Sequence, residues 1–259
     1  MPYTTTSGGR IYWKLEGRDD APPLVLLNSI GTDMDLWDPL LPALRRDNLV
    51  LRIDTHGHGA SEVPQGDITL AELAADVAAV MDAAGIRRAA VAGVSLGGMI
   101  AMELALARPA YVGQLVLVCT SATMDSAAWN DRVAKVRDEG MAAIADLAMG
   151  RFLSPEFISA DPAIAATVRR LLLTMDAAGY AACAAAIRDM ALHSRLAEIA
   201  CPTLVVTGDH DTSTPFDGHG EHLLRGIPGA QHVALAAAHL APLEAPEALA
   251  AALLSFLKE

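Results

Sequence analysis

The sequence predicts an α/β fold, with a mostly parallel central sheet flanked by helices and interrupted once by a helical insertion. Three observations predict it. Short apolar runs recur along the chain without polar alternation, as expected of strands buried on both faces. Stretches with apolar residues at helical spacing separate them. Residues 91–98, Val-Ala-Gly-Val-Ser-Leu-Gly-Gly, match Gly-x-Ser-x-Gly, a tight strand-to-helix turn. Composition agrees: the chain is 53% hydrophobic but only 4% aromatic, and its alanines and leucines favour helices over an all-β sandwich.

Leu24–Leu27 is the first buried run and Leu49–Ile53 the second. Thr69-Leu70-Ala71-Glu72 then reads as a capping box, in which the threonine hydroxyl takes an N–H three residues on and the glutamate reaches back. Leu70, Leu73, Val77, Val80, Met81 and Ala84 follow at helical spacing until Gly85 ends the helix. Ala89–Ala92 is the third run and enters the turn at Ser95. Met99–Ala107 is rich in helix formers and stops before Pro109. Leu115–Val118 is the fourth run. Strand, helix, strand in this rhythm gives parallel strands joined by right-handed crossovers.

From about Thr123 to Ile199 the strand signal vanishes, and amphipathic helical patterns are broken at Ser154-Pro155 and Asp161-Pro162. Thr203–Thr207 and His232–Leu235 restore the strand pattern, and a helix from Pro246 to Leu257 closes the chain. Both ends of the helical stretch lead into strands of one sheet. The reading is a core of residues 1–122 and 200–259 with a helical cap, 123–199, over the C-terminal strand edge, where open parallel sheets place their sites.

A net charge of −12, without any cluster of lysines or arginines, argues against nucleic acid or an anionic membrane as partner and leaves a small molecule. The N-terminus has no apolar core of a signal peptide, and no window approaches the roughly 18 apolar residues of a membrane span. Cys119, Cys183 and Cys201 are odd in number, widely spaced and set among apolar residues. They read as small buried hydrophobes in a reducing compartment, so a cytoplasmic location is expected. The sequence says nothing of oligomeric state.

The Ser95 turn carries a chemical implication. Glycines two before and two after the serine let strand and helix meet closely, while the serine accepts strained backbone angles. A serine hydroxyl is a poor nucleophile, so it needs a base, and the base needs an orienting acid. On this kind of sheet the chain order is serine, acid, histidine, with the last two on loops after later strands. After Thr203–Thr207 come Asp209 and Asp211; after His232–Leu235 comes His239. Asp211 lies deeper in its loop and is the expected acid, whereas Asp209 is placed to serve the turn. His239 is the expected base, and His210, His219, His222 and His232 read as surface or turn residues. A tetrahedral intermediate needs two N–H donors. Leu96 opens the helix after the serine and is one; Ile30, in the loop Asn28-Ser29-Ile30-Gly31-Thr32, is the other. Thr55-His56-Gly57-His58-Gly59 resembles the His-x-His opening of a two-metal site, but Ala60-Ser61 stands where Asp-His would follow. Those glycines read as a tight strand-exit loop, and neither metal nor cofactor is expected.

These residues carry a family resemblance over nearly the whole chain. Gly-Val-Ser-Leu-Gly-Gly, the Asp54–Ser61 loop, Gly-x-x-Asp-x-x-x-Pro at 208–215 and His239-Leu-Ala-Pro-Leu-Glu-Ala-Pro-Glu247 together resemble the α/β-hydrolase superfamily. Within it the chain is most similar to the 3-oxoadipate enol-lactonases of aromatic-acid catabolism. The indications are Asn28–Thr32 in place of the commoner His-Gly loop, and the stretch Trp129-Asn130-Asp131-Arg132-Val133 with Val136-Arg137, Gly140-Met141, Arg151-Phe152 and Ser154-Pro155.

The resemblance implies cofactor-free hydrolysis of an enol-lactone bearing a free carboxylate, with Trp129, Arg132, Arg151 and Phe152 about the substrate. Arg151, beside Phe152 at the end of a helical pattern, is the first choice for the carboxylate. Two positions depart from the family: His56 stands where arginine is usual, and Phe152 where tryptophan is. A general carboxylesterase and a C–C bond hydrolase of ring-cleavage products use the same triad and stay open. A ligand-binding relative without turnover is the reading from another class. Dehalogenase and epoxide hydrolase chemistry is disfavoured, because those relatives have aspartate where this chain has Ser95.

Overall fold

The structure, a computed structural model, describes residues 3–259. In chain order the strands are β1 Tyr3–Thr6, β2 Gly9–Gly17, β3 Pro23–Leu27, β4 Leu49–Ile53, β5 Ala89–Val94, β6 Val112–Val118, β7 Thr203–Gly208 and β8 Gln231–Leu235. They form one sheet in the order β1-β2-β4-β3-β5-β6-β7-β8. β1 pairs antiparallel with β2, and β2 antiparallel with β4; every pairing from β4 through β8 is parallel. β3 comes between β4 and β5, so the β4-to-β5 connection crosses a strand.

The helices are α1 Leu41–Asp47, α2 Leu70–Ala83, α3 Leu96–Ala107, α4 Ser126–Glu139, α5 Ala142–Phe152, α6 Pro155–Ala160, α7 Pro162–Thr174, α8 Ala177–Arg188, α9 Glu221–Gly226, α10 Ala241–Glu244 and α11 Pro246–Phe256. α2 starts on the reciprocal Thr69–Glu72 capping box and ends before Gly85, which takes the left-handed conformation (φ +75°). α4 to α8 all fall between β6 and β7. Ser154 and Asp161 cap α6 and α7, each ahead of a proline at the first helical position, where the missing N–H costs nothing. Among the described residues no single helix is long and apolar enough to cross a membrane.

β1 and β2 were not legible as strands. The burial of β2 is partial throughout, with only Ile11 fully inside, so the run shows neither clean alternation nor a continuous apolar stretch. The central strands are the opposite case. All six residues of β7 are buried, as are the last four of β6 and β5. Their registers align Leu27 with Gly93, Val94 with Val118 and Val118 with Val206, while Gly208 aligns with Leu235. The loops after β3, β5, β7 and β8 therefore leave one edge of the sheet side by side.

Candidate active site

Ser95 follows β5 directly and has φ +54° and ψ −116°, a conformation that L-residues adopt only under constraint. The constraint is visible. The Ser95 N–H donates to the Val118 carbonyl at 3.0 Å, and the Ser95 carbonyl accepts from Thr120 Oγ1 at 2.6 Å and Met99 N–H at 3.1 Å. The flanking glycines are required by contact: a Cβ on Gly93 would lie 2.2 Å from the Gly97 carbonyl group. One on Gly97 would lie 2.4 Å from the Leu27 carbonyl oxygen. Strand and helix can approach this closely only without side chains at both positions.

The structure brings Asp211 and His239 together. Asp211 Oδ2 accepts from His239 Nδ1 at 2.9 Å and from Thr214 Oγ1 at 2.8 Å, and Oδ1 accepts from the Ser213 and Thr214 N–H groups. Both side chains are buried, whereas Asp209 is exposed. Burial alone would push the Asp211 carboxyl up, but the charge and hydrogen bond of His239, with the Thr214 bonds, outweigh it and hold it at about 2. An ionised Asp211 keeps the proton on Nδ1 and leaves Nε2 bare, the tautomer a general base needs. The bonds made by His239 run to Asp211 and, at 3.5 Å, to Thr214; none reaches Ser95 Oγ. Such contacts commonly close only when substrate arrives.

The loop after β3 is fixed at several points. Asn28 Nδ2 donates to the Ile53 carbonyl, and the Ser29 carbonyl accepts both the Thr32 N–H and the Thr32 hydroxyl. Among the described residues no backbone carbonyl takes the N–H of Ile30 or of Leu96. Two unspent donors, Leu96 at the helix N-terminus next to Ser95 and Ile30 on the loop after the neighbouring strand β3, are of the kind that can hold a developing negative charge.

The Thr55–Gly59 loop does more than turn the chain. His56 is fully buried, with Nε2 3.2 Å from Asp76 Oδ2 and Nδ1 3.0 Å from the Glu62 carbonyl. Burial acts to lower its pKa, but Asp76 and the Glu62 carbonyl prevail and leave it above its ordinary value. The pair with Asp76 thus favours the protonated form of His56 more than burial alone would allow. His58 is buried as well, accepts the Gly31 N–H on Nε2 at 3.1 Å, and is pushed down to about 4 by burial. No motif in the sequence marked either role. The Asp-x-x-Gly-His-Gly spacing is the only signal, and by itself it indicates no more than a turn.

The helices between β6 and β7 lie against this edge. The Phe152 ring runs parallel to the His239 imidazole within 12°, centroids 6.1 Å apart, and the Phe152 carbonyl accepts the Leu240 N–H. Leu172 and Phe152 both face Gly31, and Gly57 packs directly on Gly179 of α8. Trp129 is buried on α4, with the Arg132 guanidinium 4.8 Å above its ring. Arg132 Nη1 donates to the hydroxyl of fully buried Tyr180 at 3.3 Å. Burial raises the Tyr180 phenol, while the charges of Arg132 and Arg151 act to lower it. Arg132 is half-buried and Arg151 exposed. Arg137 is engaged elsewhere, with Asp67.

A profile of the alpha/beta hydrolase fold matches residues 22–246. The 3-oxoadipate enol-lactonase 2 of Acinetobacter baylyi is 33% identical over 90% of this chain and 87% of its own length. Among solved structures, the enol-lactonase from Burkholderia xenovorans LB400 superposes with a TM-score of 0.96 at 34% identity, covering 100% of both chains. A hydrolase from Pseudomonas aeruginosa PA01 superposes with a TM-score of 0.95 at 41% identity, covering 99% of this chain and 98% of its own.

Proposed function

The chain belongs to the α/β-hydrolase family and is an ester-bond hydrolase, and from that premise we propose that it opens a small carboxylated lactone or ester through Ser95, His239 and Asp211. The observation that carries this reading is the buried 2.9 Å contact between His239 Nδ1 and Asp211, on the sheet edge where Ser95 occupies its strained turn. Ser95 Oγ attacks the carbonyl carbon as His239 Nε2 takes its proton. The N–H groups of Leu96 and Ile30 receive the oxyanion. Collapse breaks the ring C–O bond, and the departing oxygen, still tethered in a lactone, takes the proton back from His239. Water, deprotonated by the same nitrogen, then releases the acid and restores Ser95.

The carboxylate of the substrate needs a cation, because burying it unpaired is costly. Arg132 has the better credentials: half-buried, held over Trp129 and aligned by Tyr180, it forms no ion pair among the described residues. Arg151, the first choice from sequence, is solvated and takes the outer place. Trp129 and Phe152 would form apolar walls, and the helical insertion acts as the cap over them.

The test compares a carboxylated enol-lactone with a neutral p-nitrophenyl ester. Ser95→Ala should abolish turnover of both, by several orders of magnitude. Arg132→Ala should raise KM for the lactone by about tenfold or more, roughly 1.4 kcal/mol, and Arg151→Ala by less. KM for the neutral ester should hardly change in either. Equal losses on both substrates would make the arginines structural and favour a general carboxylesterase, and turnover of a dienoate C–C substrate alone would overturn the ester reading.

A further inference from the structure

The peptide planes on either side of the Ile30 Cα are clamped by different partners. The plane that contains the Ile30 N–H also contains the Ser29 carbonyl, which accepts the Thr32 N–H at 3.2 Å and the Thr32 hydroxyl at 2.9 Å. The next plane contains the Ile30 carbonyl, which accepts from Ser29 Oγ at 3.2 Å, and the Gly31 N–H, which donates to His58 Nε2 at 3.1 Å. An N–H can donate only to a ring nitrogen that carries no hydrogen, so Nε2 is bare and the His58 proton is on Nδ1. That proton has its own acceptor, the His56 carbonyl, at 2.9 Å. The Cys183 thiol of α8 donates to the same carbonyl, at 3.3 Å.

We propose that His58 is a positioning residue for the oxyanion hole: its neutral imidazole anchors the Ile30–Gly31 peptide, fixing the far side of the Ile30 Cα while Thr32 holds the near side, so that the turn keeps the Ile30 N–H facing the reacting carbonyl oxygen. The inference rests on the serine-hydrolase reading above. Gly31 has φ +82° and lies beneath Leu172 and Phe152, so its N–H has no route to water and is orphaned if the imidazole withdraws. A protonated ring would present a hydrogen to that N–H and break the contact. Complete burial keeps the ring neutral, lowering its pKa to about 4. Donors to an oxyanion act through their aim, so a small shift of the Ile30 backbone, passed on when the Gly31 anchor is lost, affects turnover more than ground-state binding.

The experiment uses the full chain as wild type, His58→Gln, His58→Leu and Ser95→Ala. It reads kcat and KM on an ester substrate and the inhibition constant of phenylboronic acid, which forms a tetrahedral anion on serine. His58→Gln supplies an acceptor oxygen and should keep kcat within about tenfold. His58→Leu should lower kcat by about 100-fold with KM within threefold, and weaken phenylboronic acid by a comparable factor. A folded His58→Leu variant with wild-type kcat or undiminished boronate affinity overturns the proposal. Should that variant not fold, the 15N spectrum of the wild-type histidines decides. A proton on Nδ1 of His58, with coupling from Nε2 to the Gly31 amide, upholds the proposal; a proton on Nε2 overturns it. Activity that survives Ser95→Ala overturns the serine reading and this inference together, whereas Ser95-dependent activity indifferent to His58→Leu overturns this inference alone.

Discussion

Asp211 shows how much a single carboxylate can decide. Its Oδ1 is committed to two backbone N–H groups and its Oδ2 to Thr214 and His239. An asparagine there would keep its oxygen on the backbone donors and turn its NH2 toward His239. The imidazole would then have to accept on Nδ1 and carry its proton on Nε2, the wrong tautomer for a base. Asp211→Asn should lower kcat by roughly 10³–10⁴-fold, and Asp209→Asn by less than about twofold, since that side chain is exposed. Steady-state kinetics of the two variants checks this, and equal losses would assign the role wrongly. Asp211 also contributes to stability. Held at about 2 rather than 3.8, it contributes stability that is present above pH 4 and lost as the pH falls toward 2.

Between elements, Glu244 at the end of α10 joins the helical insertion to the histidine loop. One oxygen accepts the Ser154 N–H at 2.6 Å; the other accepts the Ser154 hydroxyl at 3.1 Å and the Ala238 N–H at 2.9 Å. Ala238 precedes His239, and Ser154 caps α6, so one carboxylate fixes both the backbone ahead of the proposed base and the junction that carries Phe152. A hydrogen bond to a carboxylate contributes about 1.5–3 kcal/mol, and at this half-buried junction the freed donors can turn to water, so the three losses do not add in full. Glu244→Ala should therefore cost about 2–3 kcal/mol in denaturant unfolding and also slow turnover. Ser154→Ala should cost about 1 kcal/mol, the loss of a cap, and leave kcat within about twofold. A Glu244→Ala variant with unchanged stability would show that the junction is held by packing alone.

For the molecule as a whole, the interior holds its ionisable groups in fixed states, and that shapes its response to acid. His58 takes a proton at about 4 in the folded chain, against 6.5 when unfolded. Its contribution is complete above pH 6.5 and is lost as the pH falls through that window to 4, because the unfolded chain binds the proton first. His56 works in the opposite sense: raised by Asp76, it contributes stability below 6.5 that is lost as the pH rises. Asp54, raised to about 6 by burial, likewise favours the folded state as the pH falls through 6. The His58 contribution is therefore isolated by difference. Relative to His58→Gln, the wild type should lose on the order of 3 kcal/mol between pH 7 and pH 4. Urea unfolding of both at several pH values measures it; parallel curves would mean that the His58 pKa is not displaced.

The sequence by itself determined what depends on near neighbours along the chain. Thr69 and Glu72 cap α2 from three residues apart, Pro155 and Pro162 start helices, and Gly93 and Gly97 flank Ser95 because one short turn brings strand and helix into contact. The all-buried strands were legible as unbroken apolar runs, and the candidate serine, acid and histidine came from their order on successive loops, of which Asp211 and His239 are in contact. β1 and β2 escaped because their partial burial gives no period. What only the tertiary structure decided are the contacts between residues far apart in number: Gly31 with His58, His56 with Asp76, Ser154 with Glu244, Arg132 with Tyr180. Each depends on which loops the sheet order sets side by side, and on burial and buried partners that keep His58 a neutral acceptor and favour the charged form of His56. No local pattern encodes the desolvation of a residue, so these roles become visible only once the chain is folded.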